Sequence, residues 1–132
     1  MAEAVYDLIH QLEHDLPYDA FLRQLTKKIN SNDYQIYVAT ENEKVIAFGE
    51  LLFMQFIYED CPRARLTSFC IHESCRNKKV GSRFLDFLEQ RCQEKNCVSM
   101  ELTSNARRRD AHRFYEQNGF IEYSKMYIKR FE

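Results

Sequence analysis

Between a strand-like and a helix-like stretch stand Cys75, Arg76, Asn77, Lys78, Lys79, Val80, Gly81 and Ser82. The first turn of a helix exposes unpaired backbone N–H groups and the positive end of its dipole. Gly81 permits close backbone approach, and Arg76, Lys78 and Lys79 add positive charge, a combination that suits a pyrophosphate. The pattern is neither G-x-x-x-x-G-K-[ST] nor G-x-G-x-x-G, and on its own it also reads as an ordinary polar connection. Five cysteines without a C-x-x-C pair argue against a disulfide framework and a redox motif. The two C-x4-C spacings, Cys70/Cys75 and Cys92/Cys97, raise zinc, but Cys92 falls on the apolar stripe of a predicted helix, where a small buried hydrophobe is expected. His10, His14, His72 and His112 lack H-E-x-x-H spacing, so no metal site is expected.

The elements that must position this loop follow from hydrophobic periodicity. Val5, Leu8, Ile9 and Leu12 recur at helical spacing up to Pro17, and Phe21, Leu22, Leu25 and Ile29 repeat the pattern, predicting two helices with a break between them. Ile36 to Thr40 alternates, Glu41 to Lys44 is turn-like, and Val45 to about Ile57 is a long apolar run, together a hairpin whose second strand is buried on both faces. Leu66 to His72 reads as a third strand. Val80, Phe84, Phe87, Leu88 and Cys92 form one stripe of a helix. Val98 to Thr103 alternates as a fourth strand, a helix from Arg107 ends at Asn118-Gly119, and Phe120 to about Lys129 is expected as a final strand.

With 132 residues, 45% hydrophobic and 30% charged, the chain is expected to form a single domain over residues 1–132. No apolar run approaches the roughly 20 residues that span a bilayer, and the first residues lack the basic start and apolar stretch of a signal peptide, so a cytoplasmic protein without membrane association is expected. The formal charge of −1 hides an asymmetry: 4 basic and 10 acidic residues up to position 59, then 15 and 10. That balance disfavours nucleic acid as a partner and suits a compact polyphosphate.

The run Asn105 to Phe120, with Asp110-Ala111-His112-Arg113-Phe114-Tyr115 and Asn118-Gly119-Phe120, resembles the GNAT superfamily of acetyl-CoA-dependent N-acetyltransferases. That family's R/Q-x-x-G-x-G/A opens the helix after its fourth strand, and A-x-x-F-Y-x-x-x-G-F follows one strand later. Here these are Arg76 to Gly81 and Ala111 to Phe120. The resemblance covers nearly the whole chain in element order and about residues 66 to 121 in motif detail, and among members the segment from Ser104 to Tyr115 looks most like the aminoalkylphosphonate N-acetyltransferases. It implies an α/β (α+β) fold with a central mixed, mostly antiparallel sheet flanked by helices, lacking the usual first N-terminal strand. The missing edge strand leaves an edge that a partner chain can pair with, and a homodimer is kept open.

Carried over residue by residue, the resemblance implies that Phe69, Cys70 and Ile71 lie along the pantetheine arm through main-chain groups. Arg76, Asn77, Lys78, Lys79, Val80, Gly81 and Ser82 would then hold the pyrophosphate. Lys79 replaces the first family glycine, and Arg108 stands where many members carry Asn, with Asn105 or Arg108 as cofactor contacts. Tyr115 would give its proton to the leaving thiolate, since a phenol's ordinary pKa exceeds a thiol's. Glu50 is the first candidate for the base, because burial there would raise its pKa, and His72 the second. The acceptor implied is a small-molecule primary amine attacked in a ternary complex. The acidic first half would favour a polyamine-like cation, and Arg107, Arg108, Arg109 and Arg113 an anionic amine such as an aminophosphonate. The alternatives are a non-catalytic acyl-CoA sensor and a protein lysine or N-terminal acetyltransferase.

Overall fold

The computed structural model describes residues 1–11, 15–76 and 79–131. They divide into two compact units, Met1–Glu101 and Leu102–Glu132.

The first unit begins with helices α1 (Ala2–His10) and α2 (Tyr18–Ile29), separated at Pro17, which caps α2. Proline serves well there because a helix N-terminus needs no amide donor from that residue and its φ of −59° suits the entry. Strands β1 (Tyr34–Glu41), β2 (Lys44–Met54) and β3 (Arg63–Ile71) form an antiparallel meander, and β4 (Met100–Glu101) joins β3 in parallel after helix α3 (Val80–Glu94). The sheet order is β1-β2-β3-β4, so β1 is an outer edge, and no described strand precedes α1. Asn42 and Glu43, with φ of 51° and 66°, close the β1–β2 hairpin as a two-residue turn with both central residues left-handed, the hand that matches strand twist.

Residues Val45 to Leu51 of β2 are all buried, as expected of a strand covered on both faces. One face meets α1 and α2 through a cluster of Val5, Leu8, Phe21, Val45, Phe48 and Cys70. The other meets α3, where a Cβ built on Gly49 would stand 3.0 Å from Leu88 Cδ1 and 3.1 Å from Phe84 Cε2. Glycine at position 49 is therefore what lets α3 lie close to the sheet. Phe84 also stacks on Phe69, and Phe87 meets Tyr37 edge to face. Cys92 is buried on the α3 stripe as expected, and burial pushes its thiol up to about 12.

Several elements differ from the sequence reading. β3 starts at Arg63 because Ala64 is fully buried and Arg65 pairs with Glu101 across the parallel ladder (2.6 Å). β4 keeps only two ladder residues of the expected six. In the second unit, helix α4 (Arg109–Gln117) ends as expected, with Gly119 at φ 91°. Phe120 to Lys129, expected as a strand, takes no regular structure. Alternating side chains favour extension, but a strand exists only through a ladder, and this segment has none; Ile121, Tyr123, Tyr127 and Phe131 are exposed.

Candidate active site

In the first unit several residues singled out in the sequence gather around an irregularity in β3. Opposite β2 the register runs Glu50 to Ser68 and then Leu51 to Leu66, which leaves Thr67 as an extra residue, a β-bulge. Beyond it Phe69, Cys70 and Ile71 face Gly49, Phe48 and Ala47 of β2. On the opposite side β4 pairs only with Ala64 and Arg65, so the ladder between β3 and β4 ends before the bulge is reached.

Glu50 is buried, and two donors hold its Oε1: Lys28 Nζ from α2 at 3.0 Å and Thr67 Oγ1 from the bulge at 2.5 Å. The Thr67 hydroxyl also lies 3.2 Å from the Glu50 carbonyl oxygen. A buried charge persists only when paired and hydrogen-bonded, and this carboxylate is both. Lys28 further sits 4.7 Å from the Tyr34 ring centre. Lys28 and Thr67 escaped the sequence reading. Lys28 carried a signal, since it falls seven residues after Phe21 and three after Leu25, on the apolar side of its own helix. Beside it Gln24, Lys27, Lys28, Ser31 and Tyr34 line a small cavity of about 130 Å³.

His72, the second base candidate, is drawn into a turn. Its backbone N–H donates to Ile46 O at 2.7 Å, and its Nδ1 accepts from the Ser74 N–H at 3.2 Å, capping a 3-10 turn over Glu73–Cys75. Cys75 is buried and Arg76 exposed. Asn77 and Lys78 lie outside the described residues. Lys79 enters α3 at φ 60°, the left-handed region that the family glycine would adopt freely, and its side chain is exposed. Val80, Gly81 and Ser82 form the first turn of α3, which holds no acidic residue and receives no side-chain cap, and the Arg83 N–H donates to Lys79 O at 3.1 Å. That end of the helix therefore carries its dipole charge without internal compensation, with Arg76, Lys79 and Arg83 adding to it.

The second unit is organised by Asn105. Its Oδ1 accepts from the Arg107 backbone N–H (2.9 Å) and Nε (3.2 Å), and its carbonyl from the Arg108 N–H (3.0 Å) and His112 Nε2 (2.9 Å). Arg108 is the cap residue of α4, and Arg107, Arg108, Arg109, Asp110 and Ala111 line an open cavity of about 360 Å³. Arg113 is paired with Asp110. Tyr115 is half-buried, edge to face with Phe114 (5.4 Å) and Phe120 (5.7 Å).

The described residues include no cluster of three or more His, Cys, Asp or Glu able to hold a metal ion, and no described helix is long and apolar enough to cross a membrane. The family model described as acetyltransferase (GNAT) family matches residues 3–120. An aminoalkylphosphonate N-acetyltransferase of Salmonella typhimurium is 26% identical over 119 residues, 89% of this chain and 77% of that protein. Among solved structures, a GNAT family acetyltransferase of Staphylococcus aureus aligns with a TM-score of 0.85 at 22% identity, over 98% of this chain and 88% of that one. An aminoglycoside N-acetyltransferase in complex with CoA aligns with a TM-score of 0.87 at 17% identity, over 98% and 87%. These last two likenesses speak for the fold.

Proposed function

Because the chain belongs to the acetyltransferase (GNAT) family, whose acetyl donor is acetyl-CoA, we propose that it acetylates the primary amine of a small molecule by direct attack in a ternary complex. The observation that carries this is the entry to α3: an uncapped helix N-terminus without acidic residues, flanked by Arg76 and Lys79, next in sequence after the β3 residues that lie beyond the two-residue ladder with β4. These residues fit a ligand with a pyrophosphate and an amide-bearing arm. Backbone donors and cations meet the first, and the main chain of β3 at Ile71, beyond the ladder with β4, would meet the second. The relative in Salmonella acts on aminoalkylphosphonates by its name, which supports a small amine over a protein acceptor. The two units would work as one acetyltransferase domain in the cytoplasm.

Bound acetyl-CoA supplies a thioester carbonyl carbon. The chain's own groups do the rest. The main-chain N–H of Ile71, past the bulge, would stabilise negative charge on the carbonyl oxygen as the amine nitrogen bonds to carbon. Glu50 would take the proton lost by the amine, through water where needed, with Lys28 and Thr67 fixing its carboxylate. As the C–S bond breaks, the electron pair goes to sulfur and Tyr115 would give it a proton.

The test is acetyl-CoA consumption, followed by thioester absorbance, against small amines and a lysine peptide. Tyr115→Phe is expected to lower kcat about 10²-fold, the range of general acid catalysis, with acetyl-CoA affinity retained. Unchanged turnover at every pH would remove Tyr115 as the acid, and absence of both cofactor binding and turnover would overturn the reading.

A further inference from the structure

The cavity lined by Gln24, Lys27, Lys28, Ser31 and Tyr34 has a composition the overall charge conceals. It lies in the acidic half of the sequence, yet its lining holds two lysines and no carboxylate. Lys27 makes no ion pair among the described residues. Lys28 gives one of its three N–H donors to Glu50, and its ammonium lies 4.7 Å from the ring centre of Tyr34, itself a lining residue. Gln24, Ser31 and Tyr34 add neutral hydrogen-bonding groups. A volume of about 130 Å³ exceeds several-fold the roughly 30 Å³ share of one water, room for a small oxyanion and unsuited to a bulky group.

We infer that this cavity is a subsite for an anionic group on the acceptor, a phosphonate, phosphate or carboxylate, held by Lys27 and Lys28. The inference rests on the acetyltransferase reading for what the rest of the molecule does. Lys28 then touches the anion on one side and Glu50 on the other, so the same residue that binds the acceptor's acid group also positions the carboxylate proposed to take its amine proton. An acceptor whose amine and acid group are joined by a short linker satisfies both. A diamine meets a second cation where it needs an anion, and like charges at such a distance repel. The basic cavity at Arg107 to Ala111 belongs to the other unit and is left to the donor side, where Asn105 and Arg108 are expected.

Two measurements decide it. At saturating acetyl-CoA, kcat/KM for 2-aminoethylphosphonate and 3-aminopropanoate is compared with ethylamine and 1,4-diaminobutane; the anionic acceptors are expected to lead by about tenfold or more, the worth of one charge-assisted contact. Lys27→Gln should erase most of that lead through KM for the anionic pair, whereas Lys44→Gln, an exposed lysine at the start of β2, removes the same charge and should leave the lead in place. Separately, calorimetric titration of the chain with methylphosphonate is expected to show saturable binding that Lys27→Gln weakens and Lys44→Gln does not. Equal or better turnover of ethylamine or the diamine overturns the subsite, as does methylphosphonate binding indifferent to Lys27. If no acceptor turns over and acetyl-CoA does not bind, the acetyltransferase reading fails, and the titration still decides the cavity.

Discussion

Gly49→Ala probes how tightly α3 rests on the sheet. The added methyl would meet Leu88 Cδ1 at 3.0 Å and two Phe84 ring carbons at 3.1 and 3.3 Å, against about 3.5–4.0 Å for comfortable carbon contacts. Leu88 and Phe84 must therefore retreat by about half an ångström. Neither has room, since Leu88 is 0% and Phe84 5% exposed. Overpacking of this kind costs about 1–3 kcal/mol. The glycine does not occupy the left-handed region, so alanine suits the backbone and recovers about 0.4–1 kcal/mol by restricting the unfolded chain. The expected net loss is about 1 kcal/mol, which for a chain of this length lowers Tm by about 4 °C. Thermal unfolding followed by circular dichroism at 222 nm measures it. The loss should shrink in the Leu88→Ala background, because shortening that side chain clears the closest contact. A Tm equal to or above the wild type would show that α3 slides freely over β2 and would refute the close-approach argument.

Glu43→Gly should raise stability by about 0.5–1 kcal/mol, since Glu43 occupies φ 66° in a turn whose second position favours glycine; urea unfolding reads it, and a loss would mean the Glu43 side chain contributes something the turn geometry does not. Cys92, held protonated by burial up to about 12 against an ordinary 9.0, contributes stability that is complete below pH 9 and lost as pH rises toward 12. Stability should therefore fall by up to about 1.4 kcal/mol per pH unit above 9 from this group, and Cys92→Ala should flatten the profile. In the folded chain at pH 8, Cys92 should also alkylate far more slowly than the partly exposed Cys61, as peptide mass spectrometry would show.

What the sequence made legible was what local pattern determines. The α3 stripe from Val80 to Cys92, the turn between Glu41 and Lys44, the doubly buried β2 and the Asn118-Gly119 cap each depend on a few neighbouring residues. The bulge at Thr67 was not legible, because an extra residue in one strand is defined only by its partner's register. Glu50 stood out as a carboxylate in an apolar run, but its two partners come from 22 residues before and 17 after, separations that periodicity does not span. The segment Phe120 to Lys129 shows the converse failure, in which a strand-like composition predicts extension without supplying a ladder. The acidic balance of the first 59 residues also says nothing of where individual charges stand, and the cavity in that half is lined by two lysines. Net charge describes a surface, and a binding site is only a few residues of it.

The sheet also has an order of assembly written into its connections. The β1–β2 hairpin closes over two residues and β2 reaches β3 through an eight-residue link, so the meander brings together segments that are close along the chain. Ala64 and Arg65 meet Met100 and Glu101 only after a loop of about 35 residues is closed, for which a two-residue ladder and one half-exposed ion pair are small compensation. Loop-closure entropy thus makes the meander the natural folding nucleus, with α3 docking next and β4 last. The ladder between β3 and β4, on the strand proposed above to lie along the acyl donor, is the part of the sheet that finishes folding late and opens first. Donor binding would then act on the chain's kinetics as well as its chemistry, slowing the local opening of the strand it lies against.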